Sequence, residues 1–411
     1  MTVTRADVES WDATDPLAVF RDEFHVPDDV VYFDGNSLGA LPRKTPERVR
    51  ELVEDEWGRD LIRSWNVHGW IHYPRRIGDQ IAGLIGARHG EVIAADTTSI
   101  NLFKLLAAGL ELAPERRVIV SEKENFPTDL YIARGLVELL GTRELRLVER
   151  SELETAIDND VAVVSLTHVD FRSGELHDMP GMTEHAHAQG ATILWDLSHS
   201  AGALPVDLND ADADFAVGCG YKYLNGGPGA PAFLFVAERH QDNVHPPLSG
   251  WMGHETPFAF DTDYRPAPGI ERQLCGTPSV LAMAALELGV EILTRADVTS
   301  VRKKSQRMGE LFLQLVDEQC DGLGLSPACP RDSEKRGSQV SLHHAESYPI
   351  MQALIARGVI GDFRAPDVLR FGFTPLYLRF TDIWDGVAIL KDTLETEAFR
   401  RPEFQERQLV T

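Results

Sequence analysis

A lysine in a glycine-rich segment is the first residue whose surroundings indicate chemistry. Lys222 lies in GCGYKYLNGGPG, just after an apolar stretch and between two tyrosines. A lysine amine that is partly removed from water can form a Schiff base with an aldehyde. The alternative is a surface lysine in a glycine-rich turn, and this segment alone leaves both open.

An aspartate and a histidine follow another apolar stretch. Asp196 and His199 occur in ATILWDLSHS, where the aspartate falls at the carboxyl end of a predicted strand. Ligands of open α/β sheets bind at that end, and a carboxylate there can hold a protonated pyridine nitrogen. An N-cap aspartate with a nearby solvated histidine is the structural alternative. A metal site is disfavoured because no third ligand accompanies the pair.

Hydroxyl residues precede an apolar helical stretch in ADTTSINLFKLLAAGL. Thr98 and Ser99 fall at the start of that predicted helix, where backbone N–H groups have no partners within the helix. Such a helix start can bind a phosphate. Plain N-capping is the alternative, and on this segment alone it is the preferred one.

Three further residues would complete a binding site for a flat heterocycle. Phe126, in ENFPTDLY, can place its ring against such a group, and Asp129 follows closely. Arg370 lies in the apolar run PDVLRFGFTPLY, where its guanidinium needs an anionic partner. That partner can be a substrate carboxylate held by two hydrogen bonds. A core phenylalanine and a structural salt bridge are the alternatives.

Together these residues follow a useful order along the chain. They offer a phosphate site, a ring-stacking residue, a carboxylate for a pyridine nitrogen, an amine 26 residues after that carboxylate, and a carboxylate-binding arginine. These are the requirements of pyridoxal 5'-phosphate (PLP), whose aldehyde reacts with a lysine and whose ring accepts electrons. All five features are much less expected to occur together by chance than any one of them is to occur alone.

The elements that must position these residues alternate between strands and helices. Six apolar stretches are predicted as strands: RRVIVSE, RELRLVE, VAVVSLTHV, ATILWDLSHS, DFAVGCGYKYL and GAPAFLFVAE. Such alternation predicts an α/β fold with a largely parallel sheet that is covered by helices on both faces. We expect an N-terminal arm over residues 1–50 that packs with the small domain, a large domain over 51–294, and a smaller α+β domain over 295–411.

The composition limits the functional classes. Of 411 residues, 40 are basic and 64 acidic, and the resulting net charge of −24 disfavours nucleic acid or an anionic membrane as a partner. No signal peptide and no transmembrane stretch is visible, so we expect a cytoplasmic protein. Four cysteines without C-x-x-C spacing predict neither a disulfide framework nor a zinc site.

The motifs around these residues resemble a known enzyme family. The segments FDGNSLGALP, DTTSINL, NFPTD, WDLSHSAGALPVDL, YKYLNGGPGAPAFLFV and LSGWMGH are similar to those of kynureninases. The likeness extends over nearly the whole chain. It implies the PLP-dependent transferase fold of type I, with a mostly parallel seven-stranded sheet in the large domain and a smaller α+β C-terminal domain.

The resemblance also implies roles at the cofactor. Lys222 would form the Schiff base, and Asp196 would pair with the pyridine nitrogen. Tyr221 would contact the phosphate and carry a proton beside the lysine. The remaining cofactor contacts would come from Thr98, Ser99, Phe126, Asp129, Thr167, His199, Trp251 and Thr277. The last two would belong to the second subunit of a homodimer with shared active sites.

For the substrate, the resemblance implies hydrolysis of L-kynurenine to anthranilate and L-alanine by Cβ–Cγ cleavage. This reaction belongs to tryptophan degradation and can feed NAD biosynthesis. Arg370 would bind the substrate carboxylate, Ser37 would lie near the substrate, and His68 would line the aromatic pocket. Similar enzymes that prefer 3-hydroxykynurenine carry Ser-Asn where this chain has Gly276 and Thr277. We therefore expect kynurenine to be preferred, with the hydroxylated compound as a further candidate substrate.

An alternative keeps the same cofactor but changes the reaction. The Asp-x-x-His motif followed by a lysine also occurs in cysteine desulfurases and selenocysteine lyases. Those enzymes need a mobile catalytic cysteine late in the chain, and Cys320 and Cys329 are the candidates here. The segment around Cys329, SPACPRDSEKRG, has the prolines and charges of a connecting loop.

Overall fold

The structure, a computed structural model, describes residues 2–407. Within that range no helix is both long and apolar enough to cross a membrane. The α-helices are α1 (Arg5–Ala13), α2 (Thr45–Glu51), α3 (Ser64–Val67), α4 (Tyr73–Leu84), α5 (Thr98–Leu112), α6 (Pro127–Leu140), α7 (Leu153–Ala156), α8 (Met179–Ala188), α9 (Glu238–Gln241), α10 (Val280–Arg295), α11 (Val298–Gln319), α12 (Ser347–Ile355) and α13 (Phe380–Glu395).

The strands form one large sheet, one small sheet and two short pairs. They are β1 (Phe24–His25), β2 (Val31–Tyr32), β3 (Leu41–Pro42), β4 (Val92–Ala94), β5 (Val118–Glu122), β6 (Glu144–Val148), β7 (Val161–Thr167), β8 (Thr192–Asp196), β9 (Phe215–Gly218), β10 (Phe233–Val236), β11 (Ser326–Pro327), β12 (Gln339–His343), β13 (Val359–Ile360), β14 (Asp362–Arg364) and β15 (Val368–Gly372).

The large sheet has seven strands in the order β4-β10-β9-β8-β7-β5-β6. Neighbours from β9 to β6 are parallel, whereas β10 runs antiparallel to both β4 and β9. The mostly parallel seven-stranded sheet is therefore confirmed. Because parallel strands joined by helices all end at one edge, β7, β8 and β9 deliver the residues that follow them to a common place.

Both faces of this sheet are buried. Ile193 and Trp195 of β8 belong to one apolar cluster, whereas Leu194 between them belongs to another. Successive side chains of a strand point to opposite faces, so the sheet separates two layers of core. This explains why these strands appear in the sequence as continuous apolar runs rather than as alternating ones.

The seventh strand is the one that the sequence pattern missed. β4 has only three residues and pairs only with β10, which lies far along the chain. A run this short shows no readable periodicity. The strand still matters for the site, because it leads directly into the turn before α5.

The N-terminal residues pack with the C-terminal elements. Strand β2 pairs in parallel with β13, α1 contacts α13, and Asp34 bridges to Gly372 at the end of β15. The small sheet is antiparallel, in the order β11-β12-β15-β14. We keep the limits 1–50, 51–294 and 295–411 as a proposal for the domain division.

Candidate active site

The candidate site is a cavity of about 220 Å³ at the carboxyl ends of β7, β8 and β9. The starts of α5 and α6 close another side of it. Most of the predicted site residues line this cavity: Thr98, Ser99, Phe126, Asp129, Thr167, Asp196, His199, Tyr221 and Lys222. The fold thus brings together side chains that are far apart in sequence.

Lys222 is half-buried and lies against a histidine. Its Nζ is 3.0 Å from His199 Nε2 and lies 5.9 Å from the ring centre of Phe126. Burial, helped by the lysine charge, holds the pKa of His199 well below its usual range. A neutral imidazole can accept a hydrogen bond from the lysine at Nε2, so the amine has a defined orientation.

Two carboxyls meet in the interior of the site. The Asp196 carboxylate accepts a hydrogen bond of 2.7 Å from the backbone N–H of Ser198. Both oxygens of Asp129 are buried and have no hydrogen-bond donor among the residues that the structure describes. Burial raises the pKa of Asp129, and the negative charge of Asp196 raises it further. The pair therefore suits a ligand that brings a protonated nitrogen.

Aromatic residues form the wall beside the lysine. Phe126 and Phe171 pack edge to face with ring centres 5.2 Å apart. Thr167 Oγ1 donates a 2.5 Å hydrogen bond to the side-chain oxygen of Asn125, and the same oxygen accepts from the backbone N–H of Phe126 at 2.7 Å. These bonds fix the backbone at Phe126, and the edge-to-face contact with Phe171 positions its ring at the cavity wall.

The start of α5 lies at the other end of the cavity. Thr97 caps the helix by accepting a hydrogen bond from the N–H of Ile100. The capping role expected as an alternative thus belongs to Thr97, whereas Thr98 and Ser99 line the cavity. Their backbone N–H groups are in the first turn and have no partners within the helix, which suits an anion such as a phosphate.

Arg370 lies outside the lining of this cavity and is almost fully buried, with 1% of its side chain exposed. It donates to the carbonyl oxygen of Phe171 at 2.6 Å and to Ser37 Oγ at 2.7 Å, and it pairs with Asp362. The sequence indicated that Arg370 needs an anionic partner, and in the structure that partner is Asp362. Ser37, the other residue predicted near the substrate, also does not line the cavity and lies beside Arg370.

A glycine lets the N-terminal turn approach the lysine. The Gly39 N–H donates a 2.8 Å hydrogen bond to the carbonyl oxygen of Tyr221. A Cβ on Gly39 would lie 2.3 Å from the carbonyl oxygen of Lys222, closer than any side chain tolerates. The GNSLG segment must therefore have glycine here to place Ser37 near the site.

Three other predicted residues also lie away from the cavity. Trp251 is partly exposed and packs on Phe258, with ring centres 5.5 Å apart, and Thr277 is exposed. His68 pairs with Asp60 at 2.9 Å. None of the three lines the cavity within one described chain.

Sequence reasoning missed several residues at the site. Thr128, Phe171 and Ser198 line the cavity, and Asp362 and Arg364 lie beside Arg370. Thr128 and Ser198 adjoin motifs that were recognised, so closer reading could have found them. Phe171 and the two residues of β14 carry no local signal, because only the packing of distant segments brings them here.

The late cysteines are poorly placed for catalysis. Neither Cys320 nor Cys329 lines the cavity. Burial raises the pKa of Cys320 to about 11 and also raises the pKa of Cys329. A nucleophilic cysteine needs a lowered pKa and access to substrate, so this arrangement disfavours the desulfurase alternative.

No group of His, Cys, Asp or Glu side chains within residues 2–407 is arranged to hold a metal ion.

Comparison with solved structures identifies the fold. The chain superimposes on a cysteine desulfurase from Thermococcus onnurineus with a TM-score of 0.77 and 21% identity, covering 96% of this chain and 100% of that one. A C-DES variant with glycine covalently linked to its PLP cofactor gives a TM-score of 0.78 and 15% identity, over 90% of this chain and 99% of that one. These similarities confirm the type I fold.

Comparison of sequences identifies the family. A profile of the kynureninase C-terminal domain matches residues 301–390. A kynureninase from Burkholderia pseudomallei strain K96243 is 53% identical over 99% of this chain and 100% of its own length. A kynureninase from Pseudomonas fluorescens is 50% identical over the same shares. The chain therefore belongs to the kynureninase family, whose members are PLP-dependent enzymes that hydrolyse a carbon–carbon bond.

Proposed function

We propose that this chain hydrolyses L-kynurenine to anthranilate and L-alanine with PLP as cofactor. The observation that carries the proposal is the meeting of Lys222, Asp196 and Phe126 at one cavity, at the strand ends where α/β sheets bind ligands. Family membership supports the same reaction, with kynurenine as the substrate class.

The cavity residues fit PLP in chemistry. The free N–H groups at the start of α5 suit its phosphate, the Phe126 ring suits its flat heterocycle, and the buried carboxyls of Asp129 and Asp196 suit its protonated ring nitrogen. When bound, the cofactor supplies an aldehyde for the amine and an acceptor for the electrons released at the substrate.

Lys222 and Tyr221 are the groups that move protons in this proposal. The Lys222 amine, oriented by neutral His199, takes the proton from the substrate Cα. Burial raises the pKa of Tyr221, so its phenol stays protonated at neutral pH and can donate a proton to Cβ. Water supplies the hydroxyl that ends on the anthranilate carboxyl.

The substrate carboxylate is expected beside Arg370 and Ser37. Asp362 and the carbonyl oxygen of Phe171 hold the guanidinium in place. Fixing the carboxylate also fixes the Cα–H bond relative to Lys222, which is the contribution that positioning makes to rate.

We propose that the enzyme prefers kynurenine to 3-hydroxykynurenine. Gly276 and Thr277 are exposed, and a Cβ on Gly276 would meet nothing within 4 Å. Gly-Thr carries fewer polar groups than the Ser-Asn of enzymes that prefer the hydroxylated substrate, so it offers fewer partners for a ring hydroxyl. The kcat/KM values for the two substrates test this, and a higher value for the hydroxylated one contradicts it.

We further propose that the enzyme works as a homodimer in the cytoplasm, within tryptophan degradation and NAD biosynthesis. Trp251 and Thr277 lie outside the cavity of their own chain and are at least partly exposed, which leaves them available to a second copy. Hybrid dimers test the shared site. Mixing inactive Lys222→Ala with inactive Trp251→Ala should restore activity, because one of the two sites then has both residues. No recovery would contradict sharing.

The function itself has a direct test. Purified holoenzyme mixed with L-kynurenine should release fluorescent anthranilate, and the protein should absorb visible light. Lys222→Ala should lose both properties, whereas Lys335→Ala, which changes an exposed lysine, should keep them. A protein that stays colourless with added PLP, or that releases sulfide from L-cysteine and no anthranilate, would overturn the proposal.

A further inference from the structure

The arginine expected to bind the substrate carboxylate has few free donors. Arg370 donates to the carbonyl oxygen of Phe171 and to Ser37 Oγ, and it pairs with Asp362. With 1% of its side chain exposed, it presents little surface to a ligand. An incoming carboxylate at this place needs further donors.

A second arginine stands next to it. Arg364 lies on β14 two residues after Asp362, and Asp362 is in register with Arg370 on β15. Side chains two residues apart on a strand share a face, so all three project to the same side. Arg364 Nη2 is 2.6 Å from Asp362 Oδ2, the same oxygen that Arg370 contacts.

Unlike its neighbour, Arg364 keeps capacity to bind. Its side chain is 34% exposed. Its Nε is buried and has no hydrogen-bond acceptor among residues 2–407. A buried donor without a partner is costly, and an acceptor brought by a ligand would remove that cost. Arg364 therefore combines a partly exposed side chain with an unused donor.

The Arg364 charge also acts on the cavity. Burial raises the pKa of Tyr221, and the Arg364 charge opposes that rise. The same charge helps burial to lower the pKa of His199. Both residues line the cavity, so Arg364 lies within electrostatic reach of the site.

The local charge balance favours one added anion. Burial, followed by repulsion from Asp362, raises the pKa of Asp34 to about 7. Near neutral pH Asp34 is then only partly ionised. The two arginine charges are therefore opposed by the Asp362 carboxylate and only a fraction of the Asp34 charge. The cluster thus has a net positive charge, which favours the binding of one added carboxylate.

We propose that Arg364 is a second carboxylate-binding residue, which holds the substrate α-carboxylate together with Arg370 while Asp362 anchors both guanidinium groups. The inference rests on the proposed function and extends it. It assigns binding of the carboxylate to a pair of arginines on adjacent strands rather than to one.

The test compares ligands with and without the carboxylate. In Arg364→Met holoenzyme, KM for L-kynurenine should rise roughly tenfold to a hundredfold, because one charge-assisted hydrogen bond is lost. The value of kcat should change much less, since the lost contact serves ground state and transition state alike. The carboxamide of L-kynurenine, which has no negative charge, should show little change in KM.

Binding without turnover gives a second measurement. The Kd of L-alanine, read from the change in the visible spectrum, should rise in Arg364→Met, whereas the Kd of L-alaninamide should not. Arg357→Met is a matched control, because Arg357 is 36% exposed and pairs with Asp392 elsewhere in the C-terminal part. It should leave both constants unchanged.

Several outcomes separate the possibilities. Equal loss for the carboxylate and amide ligands would overturn the proposal and assign Arg364 a structural role through Asp362. An unchanged KM and Kd would also overturn it. If Arg364→Met does not fold, Arg364→Gln provides the same comparison with a polar side chain. If the wild-type enzyme fails to release anthranilate, the proposed function fails instead.

Discussion

Replacing Asp196 with asparagine isolates the charge that this site offers to the cofactor ring. Asp196 is 4% exposed, and its oxygen accepts the 2.7 Å hydrogen bond from the Ser198 N–H. An asparagine oxygen can accept the same bond, so the Asp196→Asn backbone should keep its geometry. The variant removes one negative charge and little else.

The size of the effect follows from burial. Removing one partner of a buried charge pair costs about 3–5 kcal/mol. Since each 1.36 kcal/mol is a factor of ten, full loss of the pair would lower kcat/KM by roughly a hundredfold to a few thousandfold. Asp129 limits this loss, because its pKa is raised partly by the Asp196 charge. Without that charge Asp129 ionises more readily and replaces part of what was lost.

We therefore expect Asp196→Asn to lower kcat/KM by roughly a hundredfold, the lower end of that range. The double variant Asp196→Asn with Asp129→Asn should lower it further. Anthranilate fluorescence measures turnover, and titration of the apoenzyme with PLP measures cofactor affinity. Asp160→Asn, at an exposed position, is the control. The reasoning is refuted if Asp196→Asn keeps both wild-type constants, or if the double variant is no worse than the single one.

Three further predictions concern substrate binding and stability. Ser37→Ala should raise KM for L-kynurenine by about twofold to tenfold with little change in kcat, as expected for one lost hydrogen bond; an unchanged KM contradicts this. Lys104→Met should lower the free energy of unfolding in urea by about 1–3 kcal/mol, because the lysine is fully buried and lies 2.5 Å from Asp96, which is itself 29% exposed. Adding Asp96→Asn should recover part of that loss, and no recovery would count against the ion pair. The hydrogen bond to Asp214 raises the pKa of His187 above its usual range, so its stabilisation is complete below about pH 6.5 and is lost as pH rises through the raised pKa. The difference in unfolding free energy between wild type and His187→Gln should shrink over that range, and a constant difference would refute the assignment.

The gaps in the sequence-based prediction have particular causes. Strand β4 was missed because its three residues pair only with a strand more than a hundred residues later. Phe171 was missed because it lies in a loop without a motif. Arg370 was recognised as an arginine in need of a partner. Its contacts with Asp362 and Ser37 form only when β14, β15 and the N-terminal turn pack together, so the sequence does not show them.

The sequence alone determined the α/β class, the family and most of the residues around the cavity. It could do so because apolar runs, helix starts and the lysine and aspartate motifs are local features, set by neighbouring residues in the chain. Only the tertiary structure decided that His199 orients Lys222, that Asp129 lies against Asp196, and that two arginines share one aspartate. The reason is that such contacts depend on distance and burial, which arise when remote segments pack together and remove water from between them.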